Sequence, residues 1–78
     1  MTDLKETLSN IAKAIVDHPD DVKVIETAED SKVTLVLSVA ESDMGLVIGK
    51  GGKIAKAIRT VMRAAASMDG KDVSVVIR

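Results

Sequence analysis

The sequence predicts an α+β domain: a three-stranded mixed sheet with three helices on one face, ordered helix, strand, strand, helix, helix, strand. Three observations predict it. Apolar residues recur at helical spacing near the start of the chain and again over residues 54–65. Residues 33–39 and 73–77 instead alternate with a period of two, as a strand with one buried face does. Between these strands lie two helical stretches parted by Gly49, Gly51 and Gly52, a crossover that makes the strands parallel and the connection right-handed.

Leu4, Leu8, Ile11 and Ile15 form the apolar face of the first helix, expected over roughly residues 3–17. Asp3 with Glu6 resembles a capping box, and Pro19 prevents continuation. Val22, Val24 and Ile25 read as a short first strand, with Thr27 to Lys32 as the hairpin turn. In the second strand Val33, Leu35, Leu37 and Val39 face the core; in the third, Val73, Val75 and Ile77 do. Ile25, Val36 and Val76 are left for the open face of the sheet, where they would make a small apolar patch. Ser42 is the expected cap of a short second helix that buries Met44, Val47 and Ile48 and stops at Gly49. The last helix runs from about Lys53 to Met68, with Ile54, Ala57, Ile58, Val61, Met62 and Ala65 as its apolar face and Asp69-Gly70 as its stop.

The chain is expected to form one domain, residues 1–78, near the lower size that a single aliphatic core supports. It has no cysteine and no aromatic residue, so disulfides, thiolate zinc sites and base stacking on Phe, Tyr or Trp are excluded. No run resembles a signal peptide or approaches the ~18 apolar residues of a membrane span, and a cytoplasmic location is expected. The formal net charge of −1 conceals a segregation. Residues 1–43 hold four lysines and ten acidic residues, whereas residues 44–78 hold seven basic residues and two acidic ones. Five cations and no anion lie between Met44 and Met68. Lys53, Lys56, Arg59 and Arg63 recur at steps that place them on one stripe of the last helix. Such a basic element can steer an anionic ligand onto one face.

The basic stretch starts from Val47-Ile48-Gly49-Lys50-Gly51-Gly52-Lys53-Ile54. Glycines let a backbone turn tightly and bring its N–H groups close to a partner. The loop opens onto a helix N-terminus, whose unpaired N–H groups and dipole favour phosphate. Two nucleotide-binding motifs fail here. A P-loop needs Ser or Thr after Gly-Lys, where Ile54 stands; a dinucleotide fingerprint needs its glycines directly after a strand. His18, the only histidine, reads as a helix-ending residue near main-chain carbonyls, with no second His or Cys to support a metal.

An aliphatic pair followed by G-x-x-G is the KH signature, and the whole chain resembles a type II KH domain. Ile54 follows Gly52 by two residues, a spacing similar to that of the KhpA family of small bacterial single-KH proteins. Asp17-His18-Pro19, Asp43-Met44-Gly45, Val47-Ile48-Gly49-Lys50 and Ile54-Ala55-Lys56-Ala57-Ile58-Arg59-Thr60 match that family's pattern. Gly51 departs from it, because the family usually has a larger polar residue there.

The resemblance implies a non-enzymatic protein that clamps about four nucleotides of single-stranded RNA at the backbone. On that reading Gly49 and Gly52 set the turn, and Lys50 and Gly51 present N–H groups to phosphate. Lys53 and Lys56 meet further phosphates, Val47 and Ile54 border the bases, and Ile48 and Ile58 pack the core. Arg59 and Arg63 are expected to be solvated or to face a partner. The resemblance also implies homodimers, a heteromer with KhpB, an RNA-chaperone role and a link to cell length and cell-wall synthesis. No cofactor is expected. The rival expectation is a dimerisation or protein-interaction module whose partner reads the RNA.

Overall fold

The computed structural model describes residues 3–78, and of Lys50 the backbone alone. Helix α1 spans Leu4–Ile15, a 3-10 turn Pro19–Asp21, strand β1 Lys23–Glu29, strand β2 Lys32–Ser38, the helical segment α2 Glu41–Met68 and strand β3 Asp72–Ile77. The sheet order is β1-β2-β3, with β1 antiparallel and β3 parallel to the central strand. This is the expected type II KH arrangement, but its two last helices are joined in one hydrogen-bonded run. Twenty-eight residues of straight α-helix would measure about 42 Å, whereas the longest dimension of the molecule is 35 Å. The run is broken at Gly51 and Gly52, whose φ angles of +73° and +74° leave right-handed helical geometry. Residues 41–50 therefore form a first limb and residues 53–68 a second.

Local chemistry sets the boundaries. Asp3 caps α1 by accepting a 3.0 Å hydrogen bond from the Glu6 N–H. The second limb ends as the Asp69-Gly70 pair predicts: Gly70 has φ +69°, its N–H donates to the Ser67 carbonyl, and the Lys71 N–H donates to that of Ala66. Those two bonds make a Schellman cap. The hairpin is tighter than expected. Glu29 pairs with Lys32, so Thr27 to Glu29 belong to β1 and only Asp30 and Ser31 turn. Asp30 takes φ +55°, a conformation that Asp tolerates better than most L-residues. Val22, expected in the first strand, is buried just ahead of it.

The core lies between the helices and one sheet face. Leu4, Leu8 and Ala12 of α1 meet Val33, Leu35 and Leu37 of β2, Val75 of β3, and Val47, Ile58, Met62 and Ala66 of α2. Two expectations about the limbs are corrected. Ile48 is 45% exposed and does not pack in the core, because Val47 occupies the inward position of that turn. On the second limb Ala57 and Val61 point outward, Val61 being 50% exposed, while Ala55 and Ala66 are buried instead. Small side chains thus occupy the tight contacts at both ends of this limb. Ile25, Val36 and Val76 lie side by side in one cross-strand row on the open face.

Candidate nucleic-acid interface

The glycine loop owes its shape to Gly51 and Gly52. L side chains resist positive φ by roughly 1–2 kcal/mol, so the departure from the family pattern at Gly51 coincides with a left-handed residue. Gly49, expected to help set the turn and to end the first limb, remains inside the helical run with no positive φ. A Cβ added at Gly49, Gly51 or Gly52 would meet nothing within 4 Å. A Cβ has room at all three positions, so no neighbouring group requires a glycine at Gly49. Lys53 and Lys56 are exposed just beyond it and Ile54 is half-buried against the core. The Lys50 side chain lies outside the described residues. Val47, expected to border the bases, is 1% exposed and turned into the core, so it anchors the first limb and offers no surface to a ligand.

That limb is also pinned at its base, through the Asp43 carboxylate, whose contacts with Asp17 and His18 sequence reading did not find. Asp43 is 2% exposed and is the one buried charged side chain among the described residues. Its Oδ1 accepts from the Asp17 N–H at 3.3 Å and its Oδ2 from the His18 N–H at 3.0 Å. The His18 imidazole adds a contact of 3.1 Å from Nδ1 to Oδ2. Burial pushes the Asp43 carboxyl up, but the His18 N–H, the imidazole and the Asp17 N–H outweigh it and hold the carboxyl below its ordinary value. His18 is structural, as expected, but its partner is this carboxylate and not a helix carbonyl. Ser42 is not the cap: Ala40 occupies that position, and the Ser42 hydroxyl lies 3.4 Å from His18 Nδ1. The spacing of Asp17-His18 and Asp43 carries no sign of their contact, which only the tertiary path creates.

The basic stripe continues onto the edge of the sheet. Arg59 is half-buried, and its Nε donates to the Val75 carbonyl at 3.2 Å, so it is not simply solvated. Arg63 is exposed one turn further on. Together with Val73, Ser74 and Val75 the two arginines line a hollow of about 290 Å³ along the outer edge of β3. The hydrogen bonds to β2 come from alternate residues of β3: the Asp72 N–H donates to Ser31 and the N–H of Arg78, just beyond the strand, to Leu37. The N–H and C=O groups of Val73, Val75 and Ile77 consequently point away from the sheet. Sequence reading found the arginine stripe, but not the strand edge that it faces.

This geometry can be set beside known proteins. The profile of the KhpA/KhpB KH domain matches residues 5–77. The chain belongs to the KhpA/KhpB KH-domain family. A protein of Clostridium acetobutylicum named RNA-binding protein KhpA is 53% identical over 74 residues, covering 95% of this chain and 99% of the relative. A Bacillus subtilis protein of the same name is 48% identical over 79 residues, covering 99% and 98%. One from Caldanaerobacter subterraneus subsp. tengcongensis is 50% identical over 72 residues, covering 92% and 96%. In this chain Gly49 to Gly52 join the two limbs of α2, with the turn itself at Gly51 and Gly52. No helix among the described residues is long and apolar enough to cross a membrane.

Proposed function

We propose that this chain, acting as a single domain over residues 1–78, binds short single-stranded RNA through the Gly49–Gly52 loop and the basic side of the second limb. The observation that carries the reading is an open glycine loop that feeds directly into a helix bearing exposed Lys53 and Lys56, with no acidic residue between Met44 and Met68. Main-chain N–H groups and lysines hold the sugar–phosphate backbone, and the strand continues past Ile54 toward the arginine-lined edge of β3. Relatives named as RNA-binding proteins support the ligand class. One clamp meets few phosphates and has no aromatic platform, so affinity is modest and several clamps must act together for tight binding. In that role the chain is a cytoplasmic RNA chaperone in post-transcriptional control, working as a homodimer and with KhpB, in processes connected with cell length and the cell wall.

The test is fluorescence anisotropy with a labelled single-stranded RNA over a salt series, comparing the natural protein with Lys53→Ala/Lys56→Ala. Each phosphate neutralised contributes about −0.7 to the log–log slope, so the double variant should bind more weakly, with a slope flatter by roughly 1.4. Equal affinity and slope would sink the clamp.

A second reading rests on the cross-strand row Ile25–Val36–Val76, in which Ile25 is 61% exposed. An uncovered apolar row on a sheet face suits a second copy of the chain, with the RNA contacted mainly by a partner protein. Light scattering on the natural protein and on Val36→Asp separates the readings: a dimer abolished by the substitution, together with no RNA binding by the natural protein, would favour this one.

A further inference from the structure

We propose that Asp43 is a positioning residue for RNA binding: by clamping the Asp17 and His18 N–H groups it sets the direction in which the first limb of α2 carries the glycine loop to the phosphates. The inference rests on the RNA-binding reading and adds what holds the loop at its working angle. Among the described side chains of this limb only Asp43 and Val47 are buried, four residues apart on one helical face. Leu46 and Ile48 between and beyond them are exposed. The apolar contact made by Val47 has no directional preference, so alone it leaves the limb able to swing about that point. A second anchor one turn away fixes the axis. A carboxylate does so with direction, because hydrogen bonds weaken steeply when bent.

The receiving side of the clamp is itself held. Asp17 and His18 follow the end of α1, and their N–H groups take one carboxylate oxygen each, at 3.3 and 3.0 Å. The His18 carbonyl accepts from the Asp21 N–H at 3.0 Å across the 3-10 turn, and Val16 just ahead is buried in the core. An ionised carboxylate only accepts, so the 3.1 Å contact from the imidazole places the ring hydrogen on Nδ1. Three donors therefore hold two oxygens in the first turn of α2. Gly49 lies six residues further along, or about 9 Å of helix, so a tilt at Asp43 changes the aim of the loop main chain. With 2% of its surface exposed, Asp43 has no face to offer RNA and acts through the limb.

The experiment measures anisotropy of a labelled single-stranded RNA over a salt series with the natural protein, Asp43→Asn, His18→Ala and His18→Asn. Each is studied at a temperature where circular dichroism shows it folded. Asp43→Asn replaces one accepting oxygen by an NH₂ group that cannot accept. Binding should weaken roughly tenfold, about the worth of one hydrogen bond to a charged group. The log–log salt slope should stay that of the natural protein, because no cation is removed. His18→Ala should weaken binding less, and His18→Asn, whose amide nitrogen stands in for Nδ1, should restore it. In ¹H–¹⁵N spectra of the free protein, Asp43→Asn should shift the Gly51 and Gly52 amide signals. Folded variants that bind as the natural protein does and leave those signals in place would overturn the positioning role while leaving RNA binding intact. If Asp43→Asn does not fold, the His18 pair decides, and equal binding by His18→Ala and the natural protein overturns it. Failure of the natural protein to bind RNA would overturn both readings.

Discussion

Gly49 and Gly51 are neighbours in one loop with opposite relations to the fold. Gly51 sits at φ +73° and Gly49 in the helical run, each with open space where a Cβ would be. Gly51→Ala should therefore destabilise the protein by about 1 kcal/mol through backbone strain. Gly49→Ala should stabilise it by up to ~1 kcal/mol, because glycine is a poor helix former. If the loop holds a phosphate backbone, the same Gly49→Ala substitution weakens RNA binding by crowding the approach. Urea denaturation and anisotropy on the two variants separate the effects; a Gly49→Ala protein that gains stability and binds RNA normally would show that the glycine does not serve the ligand. Asp43 gives a second test at this scale. Its carboxyl lies below its ordinary value in the folded protein, so folding favours the ionised form. Stability from this group is present above the unfolded value of about 3.9 and is lost as pH falls through the lower folded value. Asp43→Asn should lower Tm near neutral pH and flatten the acid limb of the Tm–pH curve. An unchanged acid limb would mean that other carboxylates dominate acid unfolding.

At the level of elements, the proposed RNA contacts lie on α2, and the rest of the fold holds that element in place. Its first limb is fixed at one end by Asp43 and further along by buried Val47, just ahead of the glycine loop. The second limb packs through Ala55, Ile58, Met62 and Ala66, so its lysines fall on the solvent side. Met62 is fully buried, and Met62→Ala should cost about 2–5 kcal/mol through lost transfer energy and the cavity left behind. Chemical denaturation would measure it; a cost under about 1 kcal/mol would imply that the helix collapses onto the sheet without it. The Schellman cap at Gly70 matters in the same way, since it aims the chain into β3 at the edge where Arg59 and Arg63 converge.

For the whole molecule, acidic and basic halves share one small domain. The five cations between Met44 and Met68 have no acidic residue among them in the sequence, whereas residues 1–43, with ten acidic residues against four lysines, repel a polyanion. RNA should therefore associate on one face only and with strong salt dependence. A clamp holding about four nucleotides should give a log–log slope of roughly −3, measurable in the anisotropy series. A slope near zero would mean that the charge segregation has another purpose.

Much was legible in the sequence because it depends on local periodicity. The alternation of Val33, Leu35 and Leu37 gave β2, the 3–4 spacing of Leu4 and Leu8 gave α1, and the loop glycines marked the break in α2. Two strands joined by a helical crossover leave few topologies, so the sheet order followed from the element order. Side-chain direction around the loop was less legible. Val47 and Ile48 are adjacent, equally apolar residues, and only the packing of α2 on the sheet turns one inward and leaves the other exposed. Spacing also could not reveal pairs distant in the chain. The Asp43 contacts to Asp17 and His18, and the Arg59 bond to Val75, exist because the fold brings separate segments within hydrogen-bond reach. The sequence alone determined the elements, the glycine loop and the sign of the charge beside it. Tertiary structure decided which groups that charge meets, because a hydrogen bond depends on distance and direction in space and not on position along the chain.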